Sequence, residues 1–274
     1  MTYETLAYEE PEDGIGVVTL NRPHRANAMS RPMLRELDDL CGRLAEDPRL
    51  RCVIVTGAGS VFCSGFDLKD QADAMPQGIG QWTEVLEADF KAIMTFWNLP
   101  KPTIAAVNGA ALAGGFELML ACDLAVAAAD AVFGEPELKF GAGIVAMMLP
   151  WFVGPKIAKG MIFAGEDRLG AAEALRLGLV NRAVPAGEVM GAAMELARKL
   201  ARMDPMVLQR TKLAINRSYE IMGMQEALRA ALEIDILIEG EGSEVKREFL
   251  EVVRKAGLGK ALAWREARIE PQET

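Results

Sequence analysis

The residue with the clearest chemical potential is Glu117, a carboxylate two positions after a glycine pair and just ahead of an apolar run. The surrounding residues 101–123 read KPTIAAVNGAALAGGFELMLACD. By pattern, Thr103–Val107 is a short apolar strand, residues 108–115 a glycine-containing turn, and residues 116–121 a helical run with Glu117 in its first turn. N–H groups in a first helical turn have no partner inside the helix, and the dipole there is positive. Glycine lets a ligand approach such a backbone closely. The N–H of Gly114 or Gly115 can therefore hold an oxyanion that develops during a reaction. The same passage is also common as a plain tight connection. A carboxylate among apolar neighbours argues for more, because its burial is costly without a partner or a purpose.

A second glycine-rich turn, residues 57–70 (GAGSVFCSGFDLKD), also follows an apolar strand, Cys52 to Thr56. It fails the G-x-G-x-x-G fingerprint, because Phe62 stands at the third glycine position. It is either a surface loop or a second wall of the site, in which case the N–H of Phe66 joins that of Gly114; two converging N–H groups are what an oxyanion hole requires. Further on, Glu135, Pro136 and Glu137 form a polar corner, where either glutamate can be ordinary surface charge. The single histidine, His24, lies in the polar turn NRPHRAN, so acid–base chemistry falls to carboxylates.

The 274 residues are 51% hydrophobic and suffice for one large domain or a domain with an appendage. A net charge of −9 argues against nucleic acid as a partner and leaves room for a small anion in a local basic pocket. Cys41, Cys52, Cys63 and Cys122 form no C-x-x-C pair, so no metal site is expected, and free thiols suit a reducing cytoplasm. The acidic start, MTYETLAYEEPEDG, does not read as a targeting segment. The longest apolar run, residues 144–153, is far below the roughly 20 residues of a membrane span. That run, with Met147, Met148 and Trp151, is either core packing or the lining of an acyl pocket.

The elements that must position these groups alternate. Residues 16–20 read as a strand, and a helix capped by Ser30 follows, with Leu34, Leu37, Leu40, Cys41 and Leu44 on one face. Residues 52–56 form the next strand. Residues 70–80 read as a mobile loop and residues 82–98 as a helix; residues 124–128 and 131–133 read as strands. This alternation argues for an α/β fold. Helices are expected at 155–163, 169–177, 187–203, from 204 through 217, 224–238 and 243–256. The last seventy residues are thus almost all helical, and a soft boundary falls near Met203. It divides a core, residues 1–203, from a helical region, residues 204–274.

Taken together, NRPHRANAM, CVIVTGAG with FCSGFDL, the long run from KPTIAAVNG to VFGEPE, and GEDRLGAAEALRLGLVNRAVP identify a resemblance to the crotonase, or enoyl-CoA hydratase/isomerase, superfamily. Order and spacing match from near the start to about Pro205, and REFLEVVRKAGLGKALAWREAR looks like the C-terminal helices of one branch. The resemblance implies a spiral of ββα units with a C-terminal helical trimerisation region, assembled as a homotrimer or a dimer of trimers. It implies an acyl-CoA thioester as substrate, with no other cofactor, and a place in fatty acid metabolism in the cytoplasm. By motif position the thioester carbonyl sits between the N–H groups of Phe66 and Gly114. Arg25, Ala26 and Ala28 match the turn against the nucleotide, and Ser64, Asp67 and Leu68 match the loop at the adenine pocket.

Hydratases of the family keep two carboxylates, here Glu117 and Glu137. The resemblance therefore favours an enoyl-CoA hydratase, a hydro-lyase that interconverts a trans-2-enoyl-CoA and a 3-hydroxyacyl-CoA. Glu117 would activate water and Glu137 would deliver a proton to the α-carbon, with the two titrating as a pair. The alternatives are an enoyl-CoA isomerase on the same scaffold and a non-catalytic oligomeric acyl-CoA-binding protein. After Glu137 the chain departs from the usual hydratase pattern, reading LKFGAGIVAMMLPWFVG, and Phe66 stands where many hydratases have a small residue. Both departures point to a nonstandard or aromatic acyl group.

Overall fold

A computed structural model describes residues 3–269. In chain order the elements are β1 (Leu6–Glu12), β2 (Ile15–Leu20), α1 (Arg31–Glu46), β3 (Cys52–Gly57), β4 (Val61–Cys63), α2 (Leu68–Ala74) and α3 (Gly78–Asn98). Then come β5 (Thr103–Val107), β6 (Ala110–Leu112), α4 (Gly114–Ala121), β7 (Leu124–Ala128), β8 (Val132–Gly134), α5 (Leu149–Val153) and α6 (Pro155–Ala164). The chain continues through β9 (Leu169–Gly170), α7 (Ala171–Arg176), β10 (Arg182–Val184), α8 (Val189–Ala201) and α9 (Pro205–Ile221). It closes with α10 (Met224–Glu241), α11 (Glu244–Ala256) and α12 (Leu258–Ile269).

The strands form two sheets, one six-stranded in the order β1-β2-β3-β5-β7-β10 and one four-stranded in the order β4-β6-β8-β9. β3, β5 and β7 each belong to the large sheet, and each is followed at once by a short strand of the small sheet. Repeating this step moves the chain sideways by one strand, and the result is a spiral of ββα turns. β2, β3, β5, β7 and β10 pair in parallel, whereas β1 returns antiparallel against β2. Every residue of β3 and β5 is buried, which explains their unbroken apolar runs: a parallel strand covered on both faces has no solvent side to keep polar.

Several stretches differ from the sequence reading. β4 and β6 lie inside the two glycine-rich turns, and residues 169–170, expected to open a helix, form β9 instead. Residues 70–80 contain most of α2 and the start of α3. Asp67 caps α2 by accepting the amides of Lys69 and Asp70, a local signal that outweighs the polar composition. β1 was not foreseen, because with a burial pattern open on one side it is an edge strand with few apolar residues. Ser30 caps α1 as expected, accepting from Met33 N.

The C-terminal helices share the body of the protein. α10 buries Leu228, Leu232 and Ile236 in the main core. α11 and α12 fold back over α2 and the 3-10 turn at Glu137–Phe140, where Ala72, Phe140, Ala142, Phe249, Leu250, Val253 and Ala261 form a second apolar cluster. The Phe140 and Phe249 rings stack there at 5.1 Å. α9 is different. It buries none of its own residues and exposes Met206, Val207, Leu213, Ile215 and Ile221. No described helix is long and apolar enough to cross a membrane.

Candidate active site

The two glycine turns meet where the small sheet joins the helices. Ser64 to Phe66 leave β4, and Ala113 and Gly114 leave β6 to open α4. A bridge between Met29 and Phe66 fixes the first corner, using Met29 N to Gly65 O and Asp67 N to Met29 O. That pattern leaves the Phe66 amide outside the bridge. The Gly114 amide is the first of α4 and has no partner in the helix. The corners touch, since a Cβ built on Gly65 would lie 3.2 Å from Gly114 N. At Gly114 itself a Cβ would come within 2.6 Å of the Phe66 ring, so a side chain there would force the ring to move. Ala113, which caps α4, is held at φ 54° and ψ −137°, a conformation costly for a residue with a Cβ and typical of over-determined sites. Two unspent amides beside a tight corner have the chemistry of an oxyanion hole.

The carboxylates lie close by. Glu117, Glu135 and Glu137 are all buried, with 1%, 1% and 7% exposure. Glu117 Oε1 accepts the Ala146 amide at 2.7 Å. The Oε2 atoms of Glu117, Glu135 and Glu137 have no hydrogen-bond partner among the described residues. All three are pushed well above the usual carboxylate range, first by burial. Repulsion from Glu137 raises Glu117 and Glu135 further, while a hydrogen bond from Glu135 offsets part of the rise at Glu137. A set of this kind retains protons near neutral pH and titrates as a coupled unit. Among the described residues no cluster of His, Cys, Asp and Glu is arranged to hold a metal ion.

A cavity of about 430 Å³ reaches Phe66 and Glu137, while Gly114 and Glu135 are outside its lining, Gly114 directly following the lining residue Ala113. Arg25, Ala26, Ala28, Ser64, Phe66, Asp67, Leu68 and Glu137 all line the cavity. Arg25 is exposed there, whereas Ala28 and Asp67 are buried. Glu117 is not in the lining either; it accepts from Ala146, the residue after the lining residue Val145. Asp67 is fully engaged, because besides capping α2 it receives Arg22 Nη1 at 2.8 Å. It shapes the Ser64–Leu68 loop, and Arg22, which also donates to Ala28 O, ties that loop to the preceding turn. A more open hollow of about 500 Å³ between α1, α3 and α10 contains none of the unpartnered buried polar atoms.

Sequence reasoning missed Glu135 as a buried group, and it missed Asp235 and Lys246, which reach the cavity from α10 and α11. The signal for Asp235 was present: Leu228, Leu232, Asp235 and Glu239 follow helical spacing, so two carboxylates occupy core positions of an apolar stripe.

Residues 10–242 match the enoyl-CoA hydratase/isomerase family, and the chain belongs to it. A crystal structure of an enoyl-CoA hydratase/isomerase from Xanthobacter autotrophicus Py2 superposes with a TM-score of 0.96 at 50% identity, covering 98% of this chain and 100% of that one. A probable enoyl-CoA hydratase, echA8, of Mycobacterium tuberculosis is 37% identical over 226 residues, 80% of this chain and 84% of its own. The carnitinyl-CoA dehydratase of Escherichia coli K12 is 41% identical over 217 residues, 77% of this chain and 80% of its own.

Proposed function

We propose that this protein hydrates a trans-2-enoyl-CoA reversibly to the 3-hydroxyacyl-CoA. The observation that carries the reading is the pair Glu117 and Glu137, both buried with an oxygen that has no partner among the described residues. The thioester oxygen accepts from the amides of Phe66 and Gly114 and gathers charge as the enolate forms. Glu117, oriented by the Ala146 amide, takes a proton from water as the water oxygen bonds to the β-carbon. Glu137 gives a proton to the α-carbon. A proton passing from Glu117 to Glu137 resets the pair, so no cofactor beyond the CoA ester is needed. Arg25, exposed at the cavity, meets the CoA phosphates, and the Ser64–Leu68 loop receives the adenine. The apolar residues exposed on α9 suit assembly into trimers, and the setting is a reducing cytoplasm.

Double-bond isomerisation is the second reading. It is favoured by Glu117 lying outside the cavity lining, since Glu137, the member of the pair that does line it, suffices to move a proton between carbons. Loss of crotonyl-CoA absorbance at the enone band decides between them. Wild-type protein should hydrate the ester, and Glu137→Gln should lose roughly 10²–10⁴-fold in kcat. Binding of CoA esters without hydration of any enoyl-CoA would overturn the hydratase reading.

A further inference from the structure

The hydration chemistry leaves three lining groups with unpartnered buried atoms unused, Gln71, Arg265 and Asp235, and of these Asp235 alone has every side-chain oxygen or nitrogen both buried and without a partner among the described residues. It comes from α10, outside the ββα spiral, and is 2% exposed. Neither Oδ1 nor Oδ2 has a hydrogen-bond partner among the described residues. Its neighbour one turn on, Glu239, is satisfied by Lys246 at 2.9 Å, and Lys246 in turn lies over the rings of Trp82 and Phe140. The nearby cation is therefore committed elsewhere. Gly143 gives Asp235 its place in the wall: a Cβ there would fall 1.8 Å from Oδ1. Leu86, Ala142 and Val145 supply the apolar lining around it.

An unbranched alkyl chain entering this cavity would bury a bare carboxyl against hydrocarbon. That outcome wastes the hydrogen-bonding capacity of the group and disfavours the complex. A chain carrying a hydroxyl would satisfy it. We propose that Asp235 is a specificity-determining residue that pairs with a hydroxyl on the acyl chain, so that the preferred substrate class is a hydroxylated acyl-CoA. The inference rests on the acyl-CoA reading above, but it does not depend on which reaction follows binding. Sites built to hydrogen-bond a substrate hydroxyl reject the analogue lacking it, because the polar group of the protein is then left unpaired.

Calorimetry with the saturated esters butanoyl-, hexanoyl- and octanoyl-CoA against their ω-hydroxy counterparts tests this on the full-length protein. At one chain length the hydroxylated ester should bind at least ~10-fold more tightly. Asp235→Leu should reverse that preference, and Asp235→Asn, which keeps shape and a hydrogen bond, should retain part of it even if the leucine variant fails to fold. Equal affinity for both esters at every length, or a preference unchanged in Asp235→Asn and Asp235→Leu, overturns the proposal. A hydroxyl preference in binding without hydration of any enoyl ester would leave this proposal standing and remove the hydratase reading. No binding of any CoA ester would remove both.

Discussion

Asp67 and Glu137 line the same cavity and are buried to the same degree, with 6% and 7% exposure, yet their surroundings differ completely. Asp67 spends both oxygens, on the amides of Lys69 and Asp70 and on Arg22. Glu137 keeps Oε2 without a partner, as do Glu117 and Glu135 beside it. A buried carboxylate is thus no marker of chemistry by itself. The Asp67 wall holds a loop in shape, and there full satisfaction is the cheapest state. The Glu137 wall carries unpaid desolvation, which is sustained by the rest of the fold and is useful only when water or substrate arrives.

The sharpest way to break this contrast is to neutralise Glu117. Glu117→Gln keeps the shape and a carbonyl oxygen to accept the Ala146 amide, so the fold should stay intact. Hydration should fall by roughly 10²–10⁴-fold in kcat, with little change in melting temperature. Kinetics and a thermal melt on the same sample check both halves. Activity within a few-fold of wild type would move Glu117 to the structural side of the comparison and favour the isomerase reading.

Asp67→Ala is the converse test. Removing it uncaps α2 and strips Arg22 of its carboxylate partner. Stability should drop by about 2–3 kcal/mol, or roughly 5–10 °C, because a cap and a charge-assisted bond are lost together. The turnover number of the surviving folded protein should change less than the melting temperature suggests. A variant of native stability that no longer turns over would show that Asp67 belongs with Glu137.

The two walls also differ in how far the sequence betrays them. Only the Gly114 half of the amide corner is local, since β6, the glycine pair and the start of α4 lie within a dozen residues, whereas the Phe66 half comes from the end of β4 and packs its ring on Gly114. Glycine spacing is readable without a structure, whereas the sequence reading misses the cap at Asp67 and takes the residues after it as a loop. The carboxylate wall is assembled from α4, the Glu137–Phe140 turn, α10 and α11, elements far apart in the chain. Nothing local distinguishes Glu135 from solvated charge. Only its position between β8 and a turn covered by α11 and α12 buries it. Asp235 lay between the two cases, since its helical phase with Leu228 and Leu232 marks an inward position but does not say what it faces. The C-terminal helices likewise read correctly as helices, whereas their folding back over the site required the Phe140–Phe249 contact, which no periodicity announces.

The smallest expected effect concerns stability against pH, and it isolates the cost of the unsatisfied wall without reference to turnover. Burial first, and then repulsion from Glu239, pushes Asp235 up to about 7 from an ordinary value of 3.8. Between those values the folded chain keeps a proton that the unfolded chain has lost. The contribution of this group to stability is therefore complete below about pH 4, falls as pH rises, and is gone above about pH 7. Asp235→Asn carries no ionisable group, so its melting temperature should match that of wild type near the acid end and exceed it above pH 7. A gain of about 1 kcal/mol corresponds to roughly 2–4 °C in a chain of this size. Melts of both proteins across that range give the answer. Parallel curves would mean that Asp235 ionises freely in the folded protein and that its oxygens are already satisfied, which would place it with Asp67 on the structural wall. Converging curves at low pH and a separation at high pH would show that the fold bears the cost of holding this carboxyl dry.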